Sequence, residues 1–385
     1  MFKSKQACTI EKVIRRLYPK GDVGLHLPYF DSREHELLSE VCSDGFVSGG
    51  GRQSAIFSEL LAKIYNVDPG NVALTSSGTS GLHMALIAEG VDADCCVVVP
   101  AVSFVATYNA VQYTGAQLII LDVSEDTLGL DPERLEEFLR KECDVVGGRC
   151  LIKRTKKVVK CAVPVFTLGV PPQIEKIRCI CRAWNISVVE DQAEALGGPC
   201  TDLGSSQSAV VSFNANKIIT TGGGGAVISS SIDKANFIKH IGSTAKVPHA
   251  WQYNHDCLGF NYRLSDLHSA VGIAQMERLD KILRVKKKIY IEYESAFQEV
   301  GIKFFNGPAI EQSNHWLNAV WCDEDLSMVL THLHSCGIFA RPLWGDPTSF
   351  KHLNIAFTGS IEVARKAINT VLTLPSGIVG CRIDS

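Results

Sequence analysis

From about residue 70 onward, short apolar runs alternate with stretches whose apolar residues recur at helical spacing. NVALTSS leads into GTSGLHMALIAEG, where Leu82, Ala85 and Leu86 share a helical face; CCVVVP is followed by FVATYNAVQYTG. QLIILDV precedes a helix opened by Asp131-Pro132, a good cap and first-turn pair. VVKCAVPV, a helix ending at Trp184, ISVVEDQAEAL, AVVSFNANK and GGAVISSS continue the alternation. Strands alternating with helices predict a mainly parallel sheet covered by helices, so residues 45–245 read as one α/β unit. Around residue 250 the pattern changes: Ser265 is placed to cap a long helix whose Leu267, Ala270, Ile273, Ala274 and Leu279 mark a buried stripe. A shorter α+β pattern then runs to the C-terminus. The predicted division is an N-terminal arm with a large α/β domain over residues 1–250, and a smaller α+β domain over residues 251–385.

Composition narrows the classes. A chain of 385 residues suits two domains or one large one. Its 38 basic residues nearly balance 41 acidic ones, which gives no general attraction for nucleic acid or an anionic membrane. The cluster Arg149, Lys153, Arg154, Lys156 and Lys157 falls between two strands with few aromatics, and reads as a solvated hairpin. No run approaches the roughly 20 apolar residues of a membrane span, and the N-terminus has no signal-peptide core. The 14 cysteines are scattered, often inside apolar runs such as CCVVVP, where a thiol serves as a small core residue. These features predict a reduced, cytoplasmic protein with no metal site. Cys179 and Cys181, the nearest thing to a ligand pair, lie in a helix whose Ile177, Ile180, Cys181 and Trp184 share one face, which points to packing.

Ligands of open α/β sheets bind at the carboxyl ends of the strands, and three such ends are unusual here. SSGTSG, residues 76–81, offers hydroxyls and helix-start N–H groups to an anion, although Ser and Thr are also common caps. In VVEDQAEALGG, Glu190, Asp191 and Glu194 crowd the end of an apolar strand, where carboxylates are costly unless they meet a cation or a donor. A metal, a protonated ring nitrogen of a cofactor and simple capping by Asp191 remain open at this point. The strand AVVSFN delivers Lys217 at its mouth, followed by Gly222 to Gly225. A nucleotide P-loop is excluded because there the glycines precede the lysine and open a helix. A phosphate loop, a ring-nitrogen carboxylate and an amine able to form a Schiff base are together what pyridoxal 5'-phosphate requires.

The same residues carry a family resemblance. SSGTSGLHMAL, PAVSFVATYNAV, VVEDQAEALG, SFNANKIITTGGGG and GFNYRLSDLHSAVGIAQMERLD resemble the sugar aminotransferases of the DegT/DnrJ/EryC1/StrS type, from about Leu25 to Gly377. That family implies the α/β fold type I of pyridoxal-phosphate transferases. STAKVPHAWQYNHD, NHWLNAV and ARPLW resemble the branch that makes UDP-4-amino sugars of the legionaminic and bacillosamine types. By this resemblance Lys217 carries the cofactor as a Schiff base and then moves the proton. Asp191 holds the pyridine nitrogen protonated, and Glu194 lies near the phenolic oxygen. Gly78, Thr79 and Ser212 match the phosphate ligands, with Ser80 as an addition, and Phe104 matches the aromatic on the ring face. Asn261 corresponds to a phosphate ligand supplied by the neighbouring subunit, which implies a homodimer with two shared sites. His249, His315, Arg341 and Trp344 are candidates for the nucleotide sugar; for each histidine a structural role is the alternative.

The implied reaction moves an amino group from L-glutamate, through the pyridoxamine form of the cofactor, to C4 of a UDP-linked 4-keto-6-deoxy sugar. GDP- and dTDP-sugars, and a catalytically silent regulator, are the alternatives; deoxygenating relatives carry histidine in place of the lysine, so Lys217 argues against that chemistry. Tyr108, Phe166, Gln192 and Ala215 depart from the family pattern, and the first three are expected to reshape the sugar pocket or the cofactor surround. The loop FVSGGGRQ, residues 46–53, reads either as a reach across the dimer or as a turn before a helix.

Overall fold

The computed structural model describes residues 4–198 and 202–383. Its strands are β1 (Val72–Thr75), β2 (Cys95–Pro100), β3 (Gln117–Leu121), β4 (Cys143–Val146), β5 (Arg149–Ile152), β6 (Val158–Ala162), β7 (Ser187–Asp191), β8 (Ser208–Ser212) and β9 (Gly225–Ser229). Then come β10 (Lys246–Val247), β11 (Asn254–His255), β12 (Asn318–Trp321), β13 (Arg341–Pro342), β14 (Ile355–Thr358) and β15 (Val371–Leu374). The helices are α1 (Lys5–Leu17), α2 (Ser32–Asp44), α3 (Arg52–Tyr65), α4 (Gly78–Ala88), α5 (Val105–Tyr113) and α6 (Pro132–Glu142). They continue as α7 (Ile174–Ala183), α8 (Ile232–Ile241), α9 (Asp266–Glu277), α10 (Leu279–Glu299), α11 (Leu326–Ser335) and α12 (Glu362–Thr370).

The large sheet runs β1-β9-β8-β7-β6-β2-β3-β14, with the β4–β5 hairpin attached at β6. Neighbours from β8 to β14 are parallel, whereas β9 returns antiparallel to β8 and β1 pairs antiparallel with β9. Parallel strands need crossovers, so helices cover both faces and the strands between them become apolar throughout. β2 shows this alternation: Val97 and Val99 enter one core, while Cys96 and Val98 enter a second with Cys143, Cys150 and Cys181 beneath α6 and α7. Cys181 is thus a core residue, while Cys179 is exposed.

Three sequence expectations take a more specific form. The basic cluster lies on and just after the β4–β5 hairpin, whose turn uses Gly147 and Gly148 at φ 57° and 74°. Ser265 caps α9 as expected, but the long helix is two, α9 and α10, interrupted at Arg278 with φ −108° and ψ 0°. The large sheet also takes a strand from beyond residue 250, since β14 adds in parallel to β3. Residues 318–321, 341–342 and 371–374 form a separate three-stranded antiparallel sheet; α12 meets β13, and the N-terminal α1 packs against α10 and α11.

Candidate active site at the strand ends

The carboxyl ends of β7 and β8 and the first turn of α4 enclose a cavity of about 370 Å³. Asp191, the last residue of β7, is buried there. Its Oδ2 accepts from Thr107 Oγ1 at 2.6 Å and its Oδ1 from Ala193 N at 3.1 Å. Burial pushes this carboxyl above the usual range, and the Thr107 hydroxyl, the Ala193 N–H and the charge of Lys217 pull the other way. Glu190 points to the opposite side of the strand, as period-two alternation requires, and meets the buried Arg178 at 2.6 Å. The crowded carboxylates of VVEDQAEAL are therefore separated: Glu190 answers Arg178 in the core, and Asp191 and Glu194 face the cavity.

Glu194 Oε1 lies 3.3 Å from Lys217 Nζ, and its Oε2 accepts from Leu168 N at 2.9 Å. Leu168 holds a left-handed backbone, φ 57°, which costs about 1 kcal/mol for a non-glycine residue; its N–H here meets the carboxylate. Burial raises the Glu194 carboxyl, against the charge of Lys217 and the Leu168 N–H. Lys217 itself follows β8 in the loop 213–224 and is largely buried, with its Nζ 4.2 Å from the centre of the Trp316 ring.

Close approach of two backbones shapes the opposite wall. Ser77 caps α4, and Gly78 sits so near Ser212 that a Cβ on it would stand 2.9 Å from the Ser212 Cβ. Gly225, opening β9, is tighter: a Cβ there would meet Gly78 N, Ser77 C and Val211 O at 2.7 Å each. The free N–H groups at the start of α4 and the Ser212 hydroxyl thereby converge on one end of the cavity, an arrangement suited to a phosphate. Gly223 and Gly224 border the cavity beside them.

Of the residues singled out in the sequence, Gly78, Thr79, Ser212 and Lys217 line the cavity, as do Phe104, Asp191, Glu194 and Trp344. The others lie elsewhere. Ser80 is turned into the capping box of α4, accepting from Ser77 N at 3.0 Å and donating to Ser77 O at 2.9 Å. His315 is buried against Tyr290, ring centres 4.5 Å apart, and burial with the nearby Lys287 and Lys286 holds it down at about 4. It is neutral at physiological pH and faces away from the cavity, which is the structural alternative for this residue. His249 sits in the exposed connection between β10 and β11, where its Nδ1 accepts from Gln252 N at 3.0 Å. Arg341 is exposed in β13, and Asn261 is exposed on a segment bridged to Ser243.

None of the four departures lines the cavity, contrary to what was expected of Tyr108, Phe166 and Gln192. Tyr108 is fully buried with its hydroxyl on Pro100 O at 3.0 Å, and Phe166 packs with Ile174 and Ala195. Gln192 bridges Tyr65 and Glu190, and Ala215 is exposed. Each stands one position after a residue that lines the cavity: Thr107, Val165, Asp191 and Asn214. Sequence reasoning missed Thr107, Asn214, Asn216 and Trp316, all of which line the cavity. Thr107 was legible in principle, being one turn into a helix at a strand end; Trp316 stood next to the histidine that drew attention. Phe46 and Val47 are exposed, and the FVSGGGRQ loop ends at Gly51, the N-cap of α3, where Asp266 accepts from Gly51 N and Gln53 N at 3.1 Å each.

Comparisons with known proteins agree with this geometry. A family model described as the DegT/DnrJ/EryC1/StrS aminotransferase family matches residues 28–378. EpsN of Bacillus subtilis (strain 168), named provisionally as a pyridoxal phosphate-dependent aminotransferase, is 33% identical over 329 residues, covering 82% of this chain and 80% of its own. GDP-perosamine synthase of Caulobacter vibrioides is 28% identical over 373 residues, covering 94% and 95% respectively. Among solved structures, the aminotransferase TlmJ from Streptoalloteichus hindustanus matches with a TM-score of 0.81 at 23% identity, over 92% of this chain and 93% of that one. Helicobacter pylori PseC, an aminotransferase involved in the biosynthesis of pseudoaminic acid, also gives 0.81, at 20% identity over 94% of each chain. At such identities the solved structures speak for the fold.

Proposed function

This chain belongs to the DegT/DnrJ/EryC1/StrS aminotransferase family and is a pyridoxal-phosphate-dependent aminotransferase; from that premise we propose that it transfers an amino group from L-glutamate to C4 of a UDP-linked 4-keto-6-deoxy sugar. Its chemistry is carried by one observation: Lys217, Asp191 and the Gly78 helix start, far apart in sequence, meet in a single cavity; the donor and the sugar rest on the family resemblance. The residues present fit the cofactor. The α4 N–H groups of Gly78 and Thr79 with Ser212 would hold its phosphate, Asp191 its ring nitrogen, Phe104 its ring face and Lys217 its aldehyde carbon. Bound there, the cofactor supplies an electron sink for the bond to the donor α-carbon. Asp191, a costly buried anion on its own, would be offset by a protonated ring nitrogen and would keep that proton in place. With the cofactor bound, the Lys217 amine would serve as the base for the α-proton of the amino donor, and Glu194, 3.3 Å from its Nζ, would orient it.

We further read the enzyme as a cytoplasmic homodimer in which Asn261 of the partner subunit completes each phosphate site, serving bacterial surface polysaccharide or nonulosonic acid synthesis. The division near residue 250 into large and small domains belongs to the same proposal. No helix among the described residues is long and apolar enough to cross a membrane.

A GDP-sugar substrate is the second reading, favoured by the relatives named GDP-perosamine synthase. Purified enzyme, L-glutamate and a panel of UDP-, GDP- and dTDP-linked 4-keto-6-deoxy sugars, with product mass as readout, separates them. Amination of the UDP sugars supports the first reading, amination of the GDP sugar alone supports the second, and no sugar product contradicts both.

A further inference from the structure

We propose that Trp316 is the positioning residue for the free amine of Lys217, an inference that rests on reading Lys217 as the cofactor lysine. The indole is almost fully buried, and Lys217 Nζ stands over its ring, 4.2 Å from the centre. The indole N–H donates to the carbonyl of Asn216, the residue before Lys217, at 2.7 Å. One side chain therefore grips the lysine at both its backbone and its tip.

The ring is itself held from behind. Trp316 N donates to Asn314 Oδ1 at 3.0 Å, while Asn314 Nδ2 donates to the carbonyls of Glu194 and Leu196 at 2.8 and 3.0 Å. Trp316 O accepts from Lys286 Nζ at 2.6 Å. Lys286 is fully buried and also donates to the Ser376 carbonyl. Trp316 and Glu194 are thus fastened to each other through Asn314, and Lys217 Nζ lies between the ring face and Glu194 Oε1.

This arrangement matters when the amine is not bonded to the cofactor. A free lysine tip on a four-carbon stem has many rotamers, and a proton taken from the donor turns it into an ammonium. An indole face attracts an ammonium and not a neutral amine, most strongly where water is excluded. Trp316 then keeps the proton-bearing Nζ near the carbon that must receive the proton, an effect on turnover more than on substrate binding.

The test compares Trp316→Phe, which keeps an aromatic face, with Trp316→Leu, which keeps bulk alone, in the cofactor-loaded enzyme; Trp316→Met replaces the leucine variant should that not fold. The expected result is a kcat lower by about tenfold for the aliphatic variant, with KM within about twofold and most of the loss recovered by phenylalanine. The visible band that appears when cofactor-free protein is mixed with pyridoxal 5'-phosphate should develop more slowly in the same order. Equal losses in the aromatic and aliphatic variants, or losses that track the thermal midpoint, would show a merely structural role and overturn the proposal. Borohydride labelling keeps the two levels apart: absence of label on Lys217 in the wild type defeats the underlying reading, whereas labelled Lys217 with unchanged kcat in the aliphatic variant defeats this inference alone.

Discussion

Thr107 Oγ1 donates to Asp191 Oδ2 at 2.6 Å, and Ser103 Oγ lies 2.7 Å from the same threonine oxygen. The Thr107–Asp191 bond ties the first turn of α5 to the end of β7, and its hydroxyl keeps the Asp191 carboxyl from rising further. Thr107→Val keeps the shape and removes the donor. The carboxyl must be ionised to hold a protonated ring nitrogen, so a further rise moves the acid limb of kcat to higher pH, by about one unit for one charge-assisted hydrogen bond. A pH–rate profile measures this; an unmoved acid limb would mean that Asp191 ionisation does not govern it.

The glycine run separates into positions with and without room. Gly225→Ala places a methyl group 2.7 Å from three backbone atoms, including Gly78 N, so it should cost roughly 1 to 3 kcal/mol and loosen the helix start that receives the phosphate. Gly223→Ala meets nothing within 4 Å and should leave the thermal midpoint nearly unchanged. Thermal unfolding with retention of cofactor on dialysis distinguishes them, and equal sensitivity at both positions would contradict the steric account.

Gln192→Ala tests whether the departure from the family pattern serves the core or the substrate. Its side chain donates to Glu190 Oε2 at 2.8 Å and accepts from Tyr65 at 2.7 Å, outside the cavity. The expected outcome is a stability loss of about 1 to 3 kcal/mol with KM for both substrates within about twofold. A large change in KM for the sugar alone would place Gln192 in recognition.

His315 gives a pH signature of stability. Burial holds it down at about 4, below its value of about 6.5 in an unfolded chain, so folding favours its neutral form. Its contribution is fully present above pH ~6.5 and is lost as pH falls toward ~4, at up to about 1.4 kcal/mol per pH unit. His315→Asn, suited to the left-handed backbone at φ 53°, should flatten the fall in thermal midpoint over that window relative to wild type. Parallel pH profiles for the two proteins would contradict the assignment.

Much of the large domain was legible because central strands such as β2, β8 and β9 are buried on both faces and helices such as α6 and α7 are amphipathic, so the two periods alternate visibly along the chain. The antiparallel return of β9 was not, because strand direction there depends on the loop 213–224 that carries Lys217, and no local pattern encodes it. Nor was β14, which joins β3 across more than two hundred residues of sequence. At the site, Asp191 and Lys217 stood out as charges at the ends of apolar strands. His315 drew attention by residue type, yet its left-handed backbone turns it toward Tyr290 and leaves Trp316 as the side chain in the cavity. The glycines after Lys217 are not a P-loop, because they follow the lysine, and the close approach of Gly225 to Gly78 explains at least one of them by packing.

The central claim is that Lys217 holds the cofactor covalently, and borohydride reduction of the loaded enzyme followed by peptide mass mapping tests it most directly. The account predicts a single pyridoxyl label on Lys217, absent from Lys217→Ala. Label on another lysine, or none in a protein that retains pyridoxal absorbance, would contradict it.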